Sequence, residues 1–307
     1  MELRRPWRRG PDRLGPVRAR LRARRLADAG GLPPPEPAPP PFGAESALAR
    51  ALTLRAIGVP CPEPLAVVRT RGPGWTSRGA TPDHAAGWAR ELAALPAAFA
   101  VRPEERVFGT RLAAFTRTSG GLRDQYGTRW SPLELAELLL GAQDEVGWMV
   151  EARAPDHPLL ARLVPDAGPM PAVVAVTLLT PGDMPVMLSA DLAVERRGGA
   201  AGRRRHGAAR EALAVDVASG HLVGGGPDAL LPAWSAAQLL LARTARAVPD
   251  RRAMGWDVLL TRRGPVVADA WDPWRGGTAA RVRHLVEEAL DDRGRGQDPL
   301  GEPLDPA

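Results

Sequence analysis

Seven of the nine residues from position 33 to position 41 are proline, and no other stretch constrains the chain so firmly. Proline fixes φ and donates no backbone hydrogen bond, so such a run packs neither as helix nor as sheet. It is expected to be an extended linker, with the folded region beginning near Phe42. Residues 1–25 carry ten arginines against Glu2 and Asp12, and no apolar stretch follows them as one would in a secretory leader. The whole arm, 1–43, is therefore expected to be disordered. No apolar run nears the roughly 20 residues that cross a bilayer, so a cytoplasmic location is the default.

The formal net charge of +6 invites a polyanionic partner, yet the sequence holds no lysine at all. Abundant arginine, alanine, proline and glycine fit a GC-rich coding bias. Aromatic residues are not interleaved with the arginines, and nucleic acid is not expected as a partner. Residues 1–25 are a candidate for weak contact with anionic lipid, a solvated arm being the simpler reading. The single cysteine, Cys61, sits between Pro60 and Pro62. It excludes an internal disulfide, and no cationic neighbour in sequence marks it as a reactive thiolate.

Periodicity predicts a helix over 44–57 with Leu48, Ala51 and Leu52 on one face and Gly58 ending it. A strand follows at 65–69. A second helix is capped by Thr81, with Pro82 at its first position, and buries Ala85, Trp88, Leu92 and Leu95. A strand is expected at 98–102. Ser131-Pro132-Leu133-Glu134 is a capping box opening a third helix that contains Leu135, Leu138 and Leu139. Further strands are predicted at 148–152, 173–179, 186–194 and 213–217, then a helix over 234–247. A hairpin pairs 257–261 with 265–269 through Arg262-Arg263-Gly264, and a last helix spans 279–290. Consecutive strands after position 170 read as antiparallel, so the class is α+β rather than a doubly wound parallel sheet.

Asp257 enters this hairpin and Asp269 leaves it, so both carboxylates come to one edge, with Asp272 three residues further on. The residues alone admit two readings: oxygen ligands for a hard cation, or a solvated hairpin with scattered acids. Met254-Gly255-Trp256-Asp257 through Gly264-Pro265 to Asp269 resembles the signature of the ATP-grasp superfamily, in its sugar-transfer-associated branch, related to α-L-glutamate ligases. On that resemblance Asp257 and Asp269 match the magnesium-binding acids, and the family's asparagine falls on Trp271.

Other segments follow in the family's order. Gly58-Val59-Pro60-Cys61-Pro62 resembles the turn after the first helix. Phe99-Ala100-Val101-Arg102-Pro103 resembles the strand whose lysine touches ATP phosphates, with Arg102 in the lysine's place. The glycine-rich loop that should follow is reduced to Gly109. Trp148-Met149-Val150-Glu151-Ala152-Arg153 and Asp156-His157-Pro158 resemble the hinge strand and its His-Pro turn. The resemblance implies adenine or ATP contacts for Glu151, Arg153 and His157, while His157 also reads as an ordinary turn histidine before proline. Val174 stands where a phosphate-binding arginine is expected. Val215-Asp216-Val217-Ala218-Ser219-Gly220 preserves a family turn, whereas 203–209 does not preserve the Asp-Asn and Gly-Gly pair before it.

The resemblance spans about 44–291 and implies two α+β lobes around a nucleotide cleft. It divides the chain into an N-terminal segment 44–96, a small lobe 97–152, a large lobe 153–291 and a polar tail 292–307. It implies ATP and Mg2+ as cofactors, with a carboxylate or amine substrate. In that chemistry a carboxylate is activated as an acyl phosphate and then attacked by an amine. Arg102, Asp257 and Asp269 would be catalytic, and Asp257, Asp269 and Asp272 would hold the metal. The family's name points to cell-envelope or polysaccharide pathways. The substitutions at 102, 174 and 271 imply the alternative, a scaffold that has lost catalysis and acts as a binding or nucleotide-sensing module. Motifs of other enzyme classes, such as Gly-x-Ser-x-Gly, a phosphate loop or His-Glu-x-x-His, do not occur.

Overall fold

The computed structural model describes residues 46–104, 113–142, 147–153, 155–164, 171–180, 183–195, 210–226, 228–248, 252–274 and 283–287. All of them belong to the compact unit Pro41–Ala307. The expectations for 1–43, for Gly109, for the 203–209 segment and for the tail 292–307 lie outside the described residues.

Local sequence decides the helices. Ser46 caps α1 (Ala47–Ala56) by accepting a hydrogen bond from Ala49 N–H. The buried face of α1 is Ala47, Arg50, Ala51 and Leu54, so Leu52 points to solvent, contrary to the face predicted above. Helix α2 (Ala85–Ala93) starts at His84 rather than Thr81; Pro82 lies in the extended lead-in. It does bury Trp88 and Leu92. Helix α3 (Pro132–Gly141) opens with the predicted capping box: Ser131 N–H donates to Glu134 Oε2 at 2.6 Å, and Glu134 N–H donates to Ser131 Oγ at 3.1 Å. The short α4 (Leu160–Leu163) and the long α5 (Trp234–Ala247) complete the named helices, and residues 283–287 within the predicted last helix are helical.

The strands are β1 (Pro64–Arg69), β2 (Trp75–Thr76), β3 (Ala98–Pro103), β4 (Ala113–Thr118), β5 (Gly121–Asp124), β6 (Arg129–Trp130), β7 (Gly147–Ala152), β8 (Ala172–Leu179), β9 (Pro185–Glu195), β10 (Arg210–Ala214), β11 (Ala253–Thr261) and β12 (Gly264–Trp271). They form a seven-stranded sheet in the order β2-β1-β7-β3-β4-β5-β6 and a five-stranded sheet in the order β10-β9-β8-β11-β12. Every pairing among the described strands is antiparallel, as expected for an α+β chain. Strands β2, β4, β5 and β6 are additions to the predicted set. No described helix is long and apolar enough to cross a membrane.

Each sheet owns a core. Trp88, Leu92, Phe99, Phe115, Leu135, Leu139 and Val150 fill the space between the first sheet and helices α2 and α3. Leu192, Trp234, Leu241, Trp256 and Val258 do the same between the second sheet and α5. Removing any one of the larger side chains should cost about 3–5 kcal/mol. Between the sheets lies a seam of small residues, where Ala100 and Ala114 of the first meet Ala172, Leu259 and Ala268 of the second. Beside that seam the chain places its buried charges.

Candidate functional site

Antiparallel register fixes what shares a face. Asp191 pairs with Val174, Val174 with Asp257, and Asp257 with Asp269, giving one lateral row across β9, β8, β11 and β12. The next row on the same face is Ser189, Val176, Gly255 and Trp271. Residues between these rows, such as Ala175, Trp256 and Ala270, point the other way into the core under α5. The predicted hairpin therefore forms and places its two acids directly opposite each other.

A bulge interrupts the β11–β12 ladder between Asp257 and Val258, so that Ala268 is passed over in the register. The carbonyl of Ala268 accepts a hydrogen bond from Arg102 Nη2 at 3.4 Å. Arg102, on β3, also donates from Nε to Glu151 Oε2 at 3.1 Å, from Nη1 to Asp269 Oδ2 at 3.0 Å, and from Nη2 to Met149 Sδ at 3.8 Å. All three of its side-chain nitrogens are thus engaged. Burial opposes the charge on this guanidinium most strongly. The fields of Asp269, then Glu151 and Asp257, outweigh it and raise the pKa above arginine's ordinary value.

Asp269 receives a second arginine. Arg50, from α1, donates from Nε to Oδ1 at 2.9 Å and from Nη2 to Oδ2 at 3.2 Å. Oδ1 also accepts the backbone N–H of Ala270 at 2.9 Å. With Arg102 on Oδ2, each oxygen of Asp269 takes two donors, which accounts for the roughly four lone-pair positions of a carboxylate. Arg50, Arg102, Glu151, Asp257 and Asp269 are all buried. They tie helix α1 and the first sheet to the second through one ionic network.

The residue types at two other positions change the surface alongside. Val176 and Trp271 form a buried apolar cluster with Val174, Leu188 and Val286 packed against it. Val174 and Trp271 are the positions where the resemblance calls for an arginine and an asparagine.

The remaining expected residues make contacts close to their own strands and turns. Glu151 is buried, and its second oxygen, Oε1, has no hydrogen-bond partner. Arg153 Nη2 donates to Asp156 Oδ2 at 3.4 Å while its Nε is buried without a partner. His157 behaves as a turn histidine: its Nδ1 accepts from Leu159 N–H at 3.3 Å, and its own N–H donates to Leu260 O at 2.8 Å. Asp272, at the end of β12, accepts from Trp274 N–H at 3.0 Å. The turn at 215–220 is held by its own side chains. The hydroxyl and then the N–H of Ser219 donate to Asp216 Oδ1 at 2.6 Å and 2.7 Å, holding that carboxyl below the usual carboxylate range. The Val217 carbonyl next to it accepts from Trp234 Nε1 and Gln238 Nε2, seating α5.

Cys61 is half-buried, and its thiol lies 3.8 Å from Ala51 O. Burial pushes the thiol pKa up, with Arg55 opposing and Glu151 reinforcing. It packs as a thiol whose ionisation burial disfavours.

Magnesium does not fit this donor set as arranged. The ion requires direct oxygen lone pairs at about 2.0–2.1 Å, and those of Asp269 are already committed to arginine and backbone N–H. Among the described residues no group of three or more His, Cys, Asp or Glu side chains converges to hold a metal ion. Arg102, at the expected phosphate-facing position, is held by Glu151 and Asp269 in the same way. Sequence reasoning missed Arg50 altogether. The one available signal was an arginine on the helix face shared with Ala47, Ala51 and Leu54.

No family model matches the chain, and no curated protein matches it. Solved structures do show similarity. One is carboxyaminoimidazole ribonucleotide synthase from Aspergillus clavatus complexed with ATP, at 12% identity, covering 74% of this chain and 44% of that one, with a TM-score of 0.42. Another is D-alanyl-alanine synthetase A from Vibrio cholerae, at 10% identity, covering 92% and 73%, with a TM-score of 0.45. A third is the biotin carboxylase domain of the Hydrogenobacter thermophilus 2-oxoglutarate carboxylase with MgADP, at 10% identity, covering 75% and 39%, with a TM-score of 0.42. The chain spans less than half the length of the first and third of these.

Proposed function

We propose that this chain is a catalytically degenerate ATP-grasp module, one that works by binding rather than by ligating a carboxylate to an amine. The motif order read from the sequence supports the family. The saturated carboxylate of Asp269 supports the loss of catalysis and is the single observation that carries the reading. Phosphoryl transfer in this family needs a metal to bridge phosphates and a free cation to neutralise developing charge. Here the acid that should hold the metal neutralises the cation instead. The apolar contact of Trp271 with Val176, beside Val174, removes two further polar groups from the phosphate side.

Calorimetric titration of ATP into the intact protein tests this, with and without magnesium. The expected result is no magnesium-dependent component at millimolar ATP, in the wild type or in an Asp257→Ala, Asp269→Ala double variant. Binding that needs magnesium and vanishes in the double variant would restore the ATP-dependent ligase reading, with Asp257 and Asp269 as metal ligands. The surviving cross-strand acid pair is the observation that favours that second reading.

A further inference from the structure

We infer that the cavity between strands β1 and β2 and helix α2 binds a small aliphatic molecule bearing an uncharged carbonyl group, such as an amide or a ketone, and that Trp88 Nε1–H donates to that carbonyl. The site is separate from the ionic network, and the inference does not rest on the functional reading above. Strand β3 shows the separation. Phe99 and Val101 belong to the core shared with α2 and α3, whereas Ala100 lies in the seam between the sheets and Arg102 reaches Asp269. Helix α2 thus covers the face of the first sheet that points away from Arg102. A cavity of about 360 Å3 opens there, within the size range of small-molecule pockets.

The floor of the cavity is apolar and buried: Leu65 and Ala66 come from β1, and Trp88, Leu92 and Leu95 are spaced along one face of α2 and the turn after it. One donor in this floor is unanswered. Trp88 Nε1–H is buried without a hydrogen-bond partner. The indoles of Trp148, Trp234 and Trp256, by contrast, donate to Leu139 O, Val217 O and Thr177 Oγ1. A buried bond left unmade is costly, and an acceptor brought by a guest removes that cost. The ring is held in place by close backbone packing: a Cβ added at Gly74 would lie 2.0 Å from Trp88 Cζ2 and 2.8 Å from Cη2. The Thr76 hydroxyl, also in the lining, is engaged with Ala80, donating to its carbonyl at 3.0 Å and accepting from its N–H at 2.9 Å. Charge at the rim narrows the guest further. Arg78 Nη2 donates to Glu91 Oε2, and this pairing leaves the exposed Glu63 as the surplus charge of the lining. A negative guest is repelled there, so the acceptor is an uncharged oxygen.

The test titrates three probes of one shape into the full chain, without nucleotide, and follows the assigned indole N–H resonance of Trp88 by NMR. The probes are 4-methylpentanamide, 4-methylpentan-1-amine, which has a methylene in place of the carbonyl, and 4-methylpentanoate, which carries the negative charge. The amide should half-saturate at about 1–10 mM and move the Trp88 indole proton downfield, the sign of a new hydrogen bond. The amine and the carboxylate should each bind at least about tenfold more weakly and leave that proton in place. Trp88→Phe, which keeps an aromatic ring in the floor and removes the donor, should weaken the amide about tenfold and leave the amine unchanged. Three results overturn the inference: a Trp88 proton unmoved by the amide at about 50 mM, an amide that binds no better than the amine, or a carboxylate that binds as tightly as the amide. The comparison of probes on wild type needs no variant, so it decides even if Trp88→Phe fails to fold. These outcomes are separate from magnesium-dependent ATP binding, which bears on the functional reading alone.

Discussion

Trp271 occupies the space directly over Gly255: a Cβ added at Gly255 would lie 2.2 Å from Trp271 Cε2, 2.3 Å from Cδ2 and 2.5 Å from Cζ2. The two residues are cross-strand partners, and the glycine is what lets the indole lie across β11. Gly255→Ala should destabilise the fold by about 2–4 kcal/mol, read from chemical denaturation. Trp271→Ala should cost clearly less in the Gly255→Ala background than in the wild type. A double variant as unstable as the sum of the two singles would show that the indole is not what the added methyl strikes.

The ionic network predicts a strongly non-additive pair. Arg102→Met leaves Glu151 and Asp269 short of a buried counter-charge, and Asp269→Asn leaves two buried guanidinium groups short of theirs. Each single change should cost about 3–5 kcal/mol, and the double change clearly less than the sum. Equal and additive losses in the denaturation cycle would mean the contact carries no coupling.

Cys61 predicts a protected thiol. Burial raises its folded pKa, so the stability gained by keeping it protonated is complete below the ordinary thiol pKa of about 8.5 and is lost as pH rises through the higher folded value. Iodoacetamide at pH 8 should alkylate the native protein at least about tenfold more slowly than the denatured chain. Cys61→Ala should flatten the alkaline side of the stability profile. Equal alkylation rates in the two states would contradict the packed-thiol description.

Much of the fold could be read from local chemistry, because the deciding residues lie within a few positions of one another. The capping box at Ser131 and Glu134 formed as expected, and α5 has the predicted bounds. The hairpin formed around Arg262-Arg263, where Gly264 adopts φ +108 and Thr261 Oγ1 donates to Gly264 O at 2.7 Å. What escaped was set by distant partners. Strands β4 to β6 are short, each carries an arginine, and among their described side chains only Ala114, Phe115 and Leu122 are buried and apolar, too few to form a legible pattern. In α1 the periodicity predicted Leu48, Ala51 and Leu52 inward; the buried arginine among Ala47, Ala51 and Leu54 pairs with Asp269, a partner distant in sequence. The site was legible in the same divided way. Asp257, Asp269, Arg102 and Glu151 were named from motifs, yet that the two arginines would share one carboxylate required the sheets to be folded.

Arg50 meets Asp269 across 219 positions of sequence. At a synthesis rate of roughly 5–20 residues per second, about ten to forty seconds separate the two on the ribosome. Throughout that interval Arg50, on the inner face of α1, waits for the carboxylate of Asp269. Helix α1, the first among the described residues, thus completes its pairing with Asp269 only after the β11–β12 hairpin has been made, and that hairpin acts as its clasp.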